Sequence, residues 1–318
     1  MIVLFILDGH CDSMCNVVDE KRSLLSCNGA GQLDLLSMKE YGVSSQVFAI
    51  YVEDTYCPDS ITKRALKMIN MFLKEMNENR DIIIHVKDLE DIEKAVNESK
   101  LSAFLSLEGG EALGGELFML ELFYFLGVRL MGLTWNRRNE IADGVGEGLH
   151  SGGLTNFGRS VVKKMNELGM VVDVSHISEK GFFDVMDISS APVIASHSNC
   201  RVISDNKRNL SDEQIRLIAN SNGVVGLTFV KPFIGENKAN LNGLIDHIEH
   251  ISELVGVDYI AIGSDFDGVT EEYMPDDIRD LSVFPRLIDG LKIRGFKENE
   301  VEKIMGLNLL RVIKDVMR

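Results

Sequence analysis

Two residues apart in Asp8-Gly9-His10-Cys11-Asp12, directly after an apolar opening run, stand an imidazole and a carboxylate. On an extended chain, residues i and i+2 project to the same side, so His10 and Asp12 can reach one ion. Similar groups follow other apolar runs: Glu108 in SLEGGEAL, His176 in VVDVSHIS, His197 in VIASHSN, and Asp265 with Asp267 two residues on in AIGSDFDGV. The chain has seven histidines, and three of them fall at such run ends. Nitrogen and oxygen donors without a thiolate suit one or two divalent ions such as zinc. Taken singly, His10 could be a hydrogen-bonded histidine at a strand end and Asp12 a turn cap. The joint pattern is what points to a metal.

Such residues need a scaffold that gathers them. Runs rich in Val, Ile and Leu at 2–7, 46–51, 102–107, 128–133, 170–174, 193–196, 224–228 and 259–263 read as eight strands. Between them, 59–76, 115–125, 156–168, 179–188, 211–220 and 241–255 carry apolar residues three and four apart, the helical spacing. Ser211 followed by Gln214 fits a capping box. The long connection 13–44 reads as an irregular loop with a short helical pattern at 32–41, and 277–294 and 298–317 read as closing helices. Alternating strands and helices without a linker or compositional break predict one domain over 1–318, a single (β/α)8 TIM barrel with C-terminal closing helices. A doubly wound open sheet would show a Gly-rich phosphate turn after its first strand, and LDGHCDS is not one. In a parallel barrel the active site lies at the C-terminal ends of the strands, where all the candidate ligands fall.

Composition narrows the function classes. A net charge of −16 with no Lys/Arg-rich run argues against nucleic acid and anionic membrane surfaces. The apolar start lacks a basic flank and a cleavage-site pattern, so it reads as a strand, and no later run reaches the length of a membrane span. Five cysteines, Cys11, Cys15, Cys27, Cys57 and Cys200, are irregularly spaced and suggest neither a disulfide framework nor a zinc knuckle, so a cytoplasmic address is expected. Cys11 alternates away from its neighbours and is expected in the core. His247 and His250 are expected on the solvated flank of the 241–255 helix, and His85 and His150 as structural residues. No G-x-S-x-G motif supports a serine nucleophile.

The segments DGHCD, LEGGEAL, GLTNFGRSVVKKMNELGMVVDVSHISEKGFFDV, PVIASHSNCR, KRNLSDEQIR and AIGSDFDGV together resemble the renal (membrane) dipeptidase family of metallopeptidases, within the amidohydrolase-like barrels. The resemblance covers nearly the whole chain in order. It implies a barrel with two divalent metal ions, zinc by expectation, that hydrolyses small dipeptides, including those with a C-terminal D-residue, through a hydroxide between the metals. It further implies that His10 and Asp12 bind one ion, Glu108 bridges both, and His176 and His197 complete the second. Asp265 matches the family's acid/base, and Arg208 in KRNLSD the arginine that holds the substrate carboxylate. By its residues alone, Arg208 reads as a surface base beside Lys207. The resemblance also allows a homodimer. One departure stands in GLTWNRRNEIADG: where many relatives carry a substrate-contacting histidine, this chain has Trp135, its one tryptophan. Indole can donate a hydrogen bond but cannot carry a proton. Trp135 therefore reads as a stacking wall for substrate or as an aromatic plug at the barrel mouth. It motivates an alternative reading, a barrel amidohydrolase acting on another small amide such as an N-acyl amino acid or a lactam. A non-catalytic binding barrel is the other alternative, and the complete ligand set with Asp265 speaks against it.

Overall fold

The computed structural model describes residues 4–19, 21–53, 56, 58–235 and 238–317; Ile2, Val3 and Cys57 lie outside the described residues. Nine parallel strands form its sheet: β1 (Ile6–Cys11), β2 (Val43–Tyr51), β3 (Ile83–His85), β4 (Leu101–Glu108), β5 (Val128–Gly132), β6 (Val171–Asp173), β7 (Val193–Ala195), β8 (Val224–Leu227) and β9 (Ile260–Ile262). β1 pairs with β2 and β9, β2 pairs with β4, and β4 to β9 pair in succession. Eight strands thus close a barrel, as the sequence pattern predicts. The ninth, β3, lies against the beginning of β4 on the edge whose upper half is taken by β5.

Each barrel strand sends one apolar side chain to a common layer: Leu7, Val47, Phe104, Leu130, Val171, Ile194, Val224 and Ala261. The last helix, Asn308–Val316, packs Leu309, Val312, Ile313 and Val316 against that layer. The closing helix therefore plugs one end of the barrel, and the polar ends of the strands are left for the other. It does not run unbroken from 298 to 317 as the periodicity suggests. A helical turn at Glu298–Glu302 passes through a π-helical stretch, Lys303–Leu307, before Asn308–Val316. Within that stretch a side chain on Gly306 would meet the Phe5 carbonyl oxygen at 2.7 Å and the Leu7 nitrogen at 2.8 Å. Close approach of helix to β1 is what requires glycine there.

Several predicted boundaries shift. β1 starts at Ile6 and runs through His10 to Cys11, where the apolar run alone places its end at residue 7. The polar Asp8 can continue a buried strand because Ser264 donates to it twice, from its nitrogen at 2.8 Å and from Oγ at 2.6 Å. In the first connection the helix is Leu35–Tyr41, capped by Asp34, and a short helix at Ser13–Val18 precedes it. Helices Asn156–Leu168, Glu179–Ile188 and Leu241–Val255 fall as expected, and the Ser211–Gln214 capping box is formed. The 277–294 segment is helical only from Val283 to Ile293. His247 departs from its expected place on a solvated flank: it is fully buried, accepts from the Cys200 nitrogen at 3.1 Å and bonds the Ile234 carbonyl at 3.0 Å. A histidine with both ring nitrogens satisfied by backbone can stand in a core stripe. Cys11 is buried as expected.

Candidate metal centre

β1 delivers His10 and Asp12, β4 ends on Glu108, and the turns after β6, β7 and β9 deliver His176, His197 and Asp265. All six are brought together. His10 Nε2 lies 3.3 Å from Asp12 Oδ2, 3.5 Å from Glu108 Oε2 and 3.9 Å from Asp265 Oδ1. Glu108 Oε1 lies 3.0 Å from His176 Nε2 and 3.7 Å from His197 Nε2. Three overlapping triads result, each compact enough to hold an ion: His10, Asp12 and Glu108; Glu108, His176 and His197; and His10, His197 and Asp265. Glu108 belongs to two of them through different oxygens, which is the arrangement of a bridging carboxylate.

Hydrogen bonding presents these donors to a cation. His176 Nδ1 donates to Asn136 Oδ1 at 2.9 Å, which leaves Nε2 with its lone pair. Ser196 Oγ donates to Asp173 Oδ2 at 2.5 Å and so accepts from His197 Nδ1 at 2.7 Å, which likewise frees His197 Nε2. These two unprotonated nitrogens face each other at 2.8 Å, a repulsive contact that a cation beside them would relieve. His10 Nε2 and Asp12 Oδ1 are buried with no hydrogen-bond partner. The donors present fit divalent metal.

Burial and charge set the protonation states. Burial, helped by the Arg208 charge, pulls His176 down to about 4, and burial with the charge on His10 holds His197 well below its ordinary value. Burial also opposes a charge on His10, but Glu108 and Asp12 outweigh it and hold that imidazole well above its usual range. Burial would raise Glu108, yet the attraction of His10 and the close approach of His10 and His176 keep it well below the usual carboxylate range. Asp12 and Asp265 are pushed up, first by burial and then by the charge on Glu108.

The loop after β5 shapes one side of the centre. Val145 N donates to the His176 carbonyl at 2.7 Å and Gly146 N to the Asn136 carbonyl at 2.7 Å, which ties Asn136 to the histidine it orients. Trp135 stands beside them, its ring centroid 5.3 Å from that of Tyr51 and 6.1 Å from that of His176. Gly268 keeps the opposite side clear, since a side chain there would meet Asp265 Oδ1 at 2.4 Å and Asp12 Oδ2 at 2.5 Å. Arg208 is not a surface base: it is 7% exposed, bonds Ser198 Oγ and the His197 carbonyl, and keeps Nε unpartnered. Burial lowers it to about 10, so it remains a cation at neutral pH. A cleft of about 570 Å³ runs past both His176 and Arg208. Asp267 turns away from the centre and instead holds Arg22, Ser13 Oγ and the Gln32 nitrogen, clasping the first connecting loop to the turn after β9.

Sequence reasoning passes over Asp173, Ser196 and Asn136, which orient the histidines. Asp173 is the one charge inside the apolar run MVVDV, and that mismatch is the signal that could have found it.

The family model described as membrane dipeptidase, peptidase family M19, matches residues 2–318. The chain belongs to this family. A relative from Klebsiella pneumoniae, an uncharacterized protein encoded in the region 5′ of pqqA, is 36% identical over 236 residues, which are 71% of this chain and 86% of the relative. Among solved structures, a metallopeptidase named dipeptidase AC superposes with a TM-score of 0.92 at 29% identity, covering 99% of both chains. A metallopeptidase from Rhodobacter sphaeroides, crystallised with a phosphinate mimic of the dipeptide L-Ala-D-Ala, gives a TM-score of 0.91 at 28% identity over 98% of this chain and 99% of that one. Membership makes the chain a metallopeptidase of dipeptidase type on a (β/α)8 barrel, and its candidate ligands sit where barrel enzymes place their sites.

Proposed function

We propose that the chain hydrolyses small dipeptides, including those with a C-terminal D-residue, at a centre for two zinc ions built from His10, Asp12, Glu108, His176 and His197. The observation that carries this reading is the pair of donor triads sharing Glu108 through its two oxygens. Bound zinc ions would supply a water acidic enough to ionise near pH 7 and a Lewis acid for the carbonyl. The chain supplies the rest. Asp265, beside the two triads that share Glu108, takes the proton of the attacking water and passes it to the leaving amine. Arg208, a buried cation with an unspent donor, receives the C-terminal carboxylate. Trp135 and Tyr51 form an aromatic wall for the substrate. The D-residue follows the mimic held by the Rhodobacter sphaeroides metallopeptidase. Four described cysteines are free thiols, and among the described residues no helix is long and apolar enough to cross a membrane; a reducing, cytoplasmic address suits the thiols.

Trp135 favours a second reading, in which the same centre cleaves another small amide. One panel separates the two: zinc-loaded protein with L-L and L-D dipeptides, their N-acetylated and C-amidated forms, and cyclic amides. Turnover of free dipeptides is expected, together with a KM for them raised about tenfold or more in Arg208→Ala, the loss of a charged hydrogen-bond partner. An equal effect on amidated dipeptides would refute the carboxylate role, and cleavage of acylated or cyclic amides alone would favour the second reading.

A further inference from the structure

The cleft beside His176 and Arg208 is larger and more cationic than a small neutral residue requires. Its lining includes four cations, Lys180, Arg201, Lys207 and Arg208, against two carboxylates, Glu179 and Asp205. That leaves two positive charges in one concavity of a chain whose net charge is −16. Arg201 and Glu179 pair with each other at 3.0 Å, so they offset. Among the described residues Lys180 and Lys207 make no ion pair, and both are exposed. Lys180 is the second residue of helix Glu179–Ile188, in a first turn where acids are stabilising and a cation is not. Local structure gives no reason for a lysine there, whereas an anion in the cleft would.

Resting on the dipeptidase reading, we propose that this cleft selects dipeptides whose C-terminal residue carries a second carboxylate, with Lys180 and Lys207 as the side chains that receive it. Arg208, buried beside the metal centre, takes the main-chain carboxylate, and the outer lysines take the acidic side chain. The two substrate charges then match the two uncompensated charges of the cleft. Selection by outer, hydrated lysines is electrostatic and therefore weakens with salt.

The test compares kcat/KM of the zinc-loaded protein for Ala-Glu, Ala-Gln, Ala-Leu and Ala-Ala, with both enantiomers of the second residue, at low and high salt. Glu and Gln have the same shape, so their ratio isolates charge. The expected result is a preference for Glu over Gln of about fivefold at low salt that shrinks at high salt. In the Lys180→Gln/Lys207→Gln double variant the ratio falls to about one, and in Lys180→Glu/Lys207→Glu it inverts. Because both substrates are measured on the same protein sample, partial misfolding cannot mimic the change. Equal use of Gln or Leu by the parent protein, or a ratio untouched in the double variants, overturns the proposal and leaves the dipeptidase reading standing. Failure to turn over any dipeptide, Ala-Ala included, overturns both.

Discussion

Asp265 and His176 hold backbone φ values of 65° and 68°, in a region that non-glycine residues seldom occupy. The surroundings over-determine that conformation: Asp265 N donates to the His10 carbonyl at 3.2 Å, and its own carbonyl accepts from Gly268 N at 3.2 Å. Asparagine tolerates the left-handed region, so Asp265→Asn is expected to fold and to keep its metal content. Its turnover is expected to fall by about 10²- to 10⁴-fold, the contribution of a general acid/base. Initial rates alongside metal analysis decide this, and near-normal rates would remove Asp265 from the reaction. Asp173 acts one bond further out, through Ser196 on His197. Asp173→Ala lets Ser196 turn and His197 change tautomer, so zinc affinity should drop about 10- to 100-fold while kcat recovers in excess zinc. Unchanged affinity in a competition titration would show that Ser196 alone orients the ring. The six candidate donors were legible because each follows an apolar run. Asp173, Asn136 and Ser196 were not, since a partner of a ligand has no fixed spacing from it in sequence.

The eight barrel strands could be read from sequence because each centres on a largely apolar stretch buried on both faces. β3 could not, for only Ile83–His85 pair, and a run that short does not separate from a loop. The helix after it, Leu89–Asn97, was missed as well, although Asp88 caps it by accepting from Asp91 N at 2.9 Å. The π-helical stretch at Lys303–Leu307 answers to the approach of β1, a tertiary cause that helical periodicity does not record. β3 nevertheless has a consequence for stability. His85 at its end bonds the Gly127 carbonyl at 3.2 Å and meets the Phe72 ring edge-on, and burial pulls its pKa down to about 4. Between about 6.5 and about 4 the unfolded chain binds a proton at this site that the folded chain does not. The stabilisation is therefore complete above about 6.5 and is lost as pH falls toward about 4. His85→Gln keeps a donor for Gly127 and cannot be protonated. The unfolding free energies of the two proteins, from urea titrations at pH 7.5 and 5, should converge by on the order of 1 kcal/mol at the lower pH. Parallel pH dependences would show that His85 takes up its proton equally in the folded and unfolded states.

At the scale of the whole molecule the barrel is built around a charge imbalance. Its plugged end is apolar, with one side chain from every barrel strand against the last helix. At the other end the carboxylates of Asp12, Glu108 and Asp265, with side chains 6%, 8% and 12% exposed, crowd around imidazoles of which two are held neutral. Burial and mutual repulsion raise Asp12 and Asp265, so without cations the folded chain pays for keeping these groups together. Bound divalent ions would reverse the sign, because they would interact with the folded constellation and not with donors scattered along an unfolded chain. Metal bound at one hundred times its Kd adds about 2.7 kcal/mol per site to stability. Stripping the protein with a chelator should therefore lower Tm by several degrees, and restoring zinc should return it. The same treatment of a His176→Ala/His197→Ala variant should change Tm less, since one of the two triads sharing Glu108 is then dismantled. A stripped protein that melts with the loaded one would mean that the six donors hold no ion, and the barrel would then have to owe its polar end to hydrogen bonding alone.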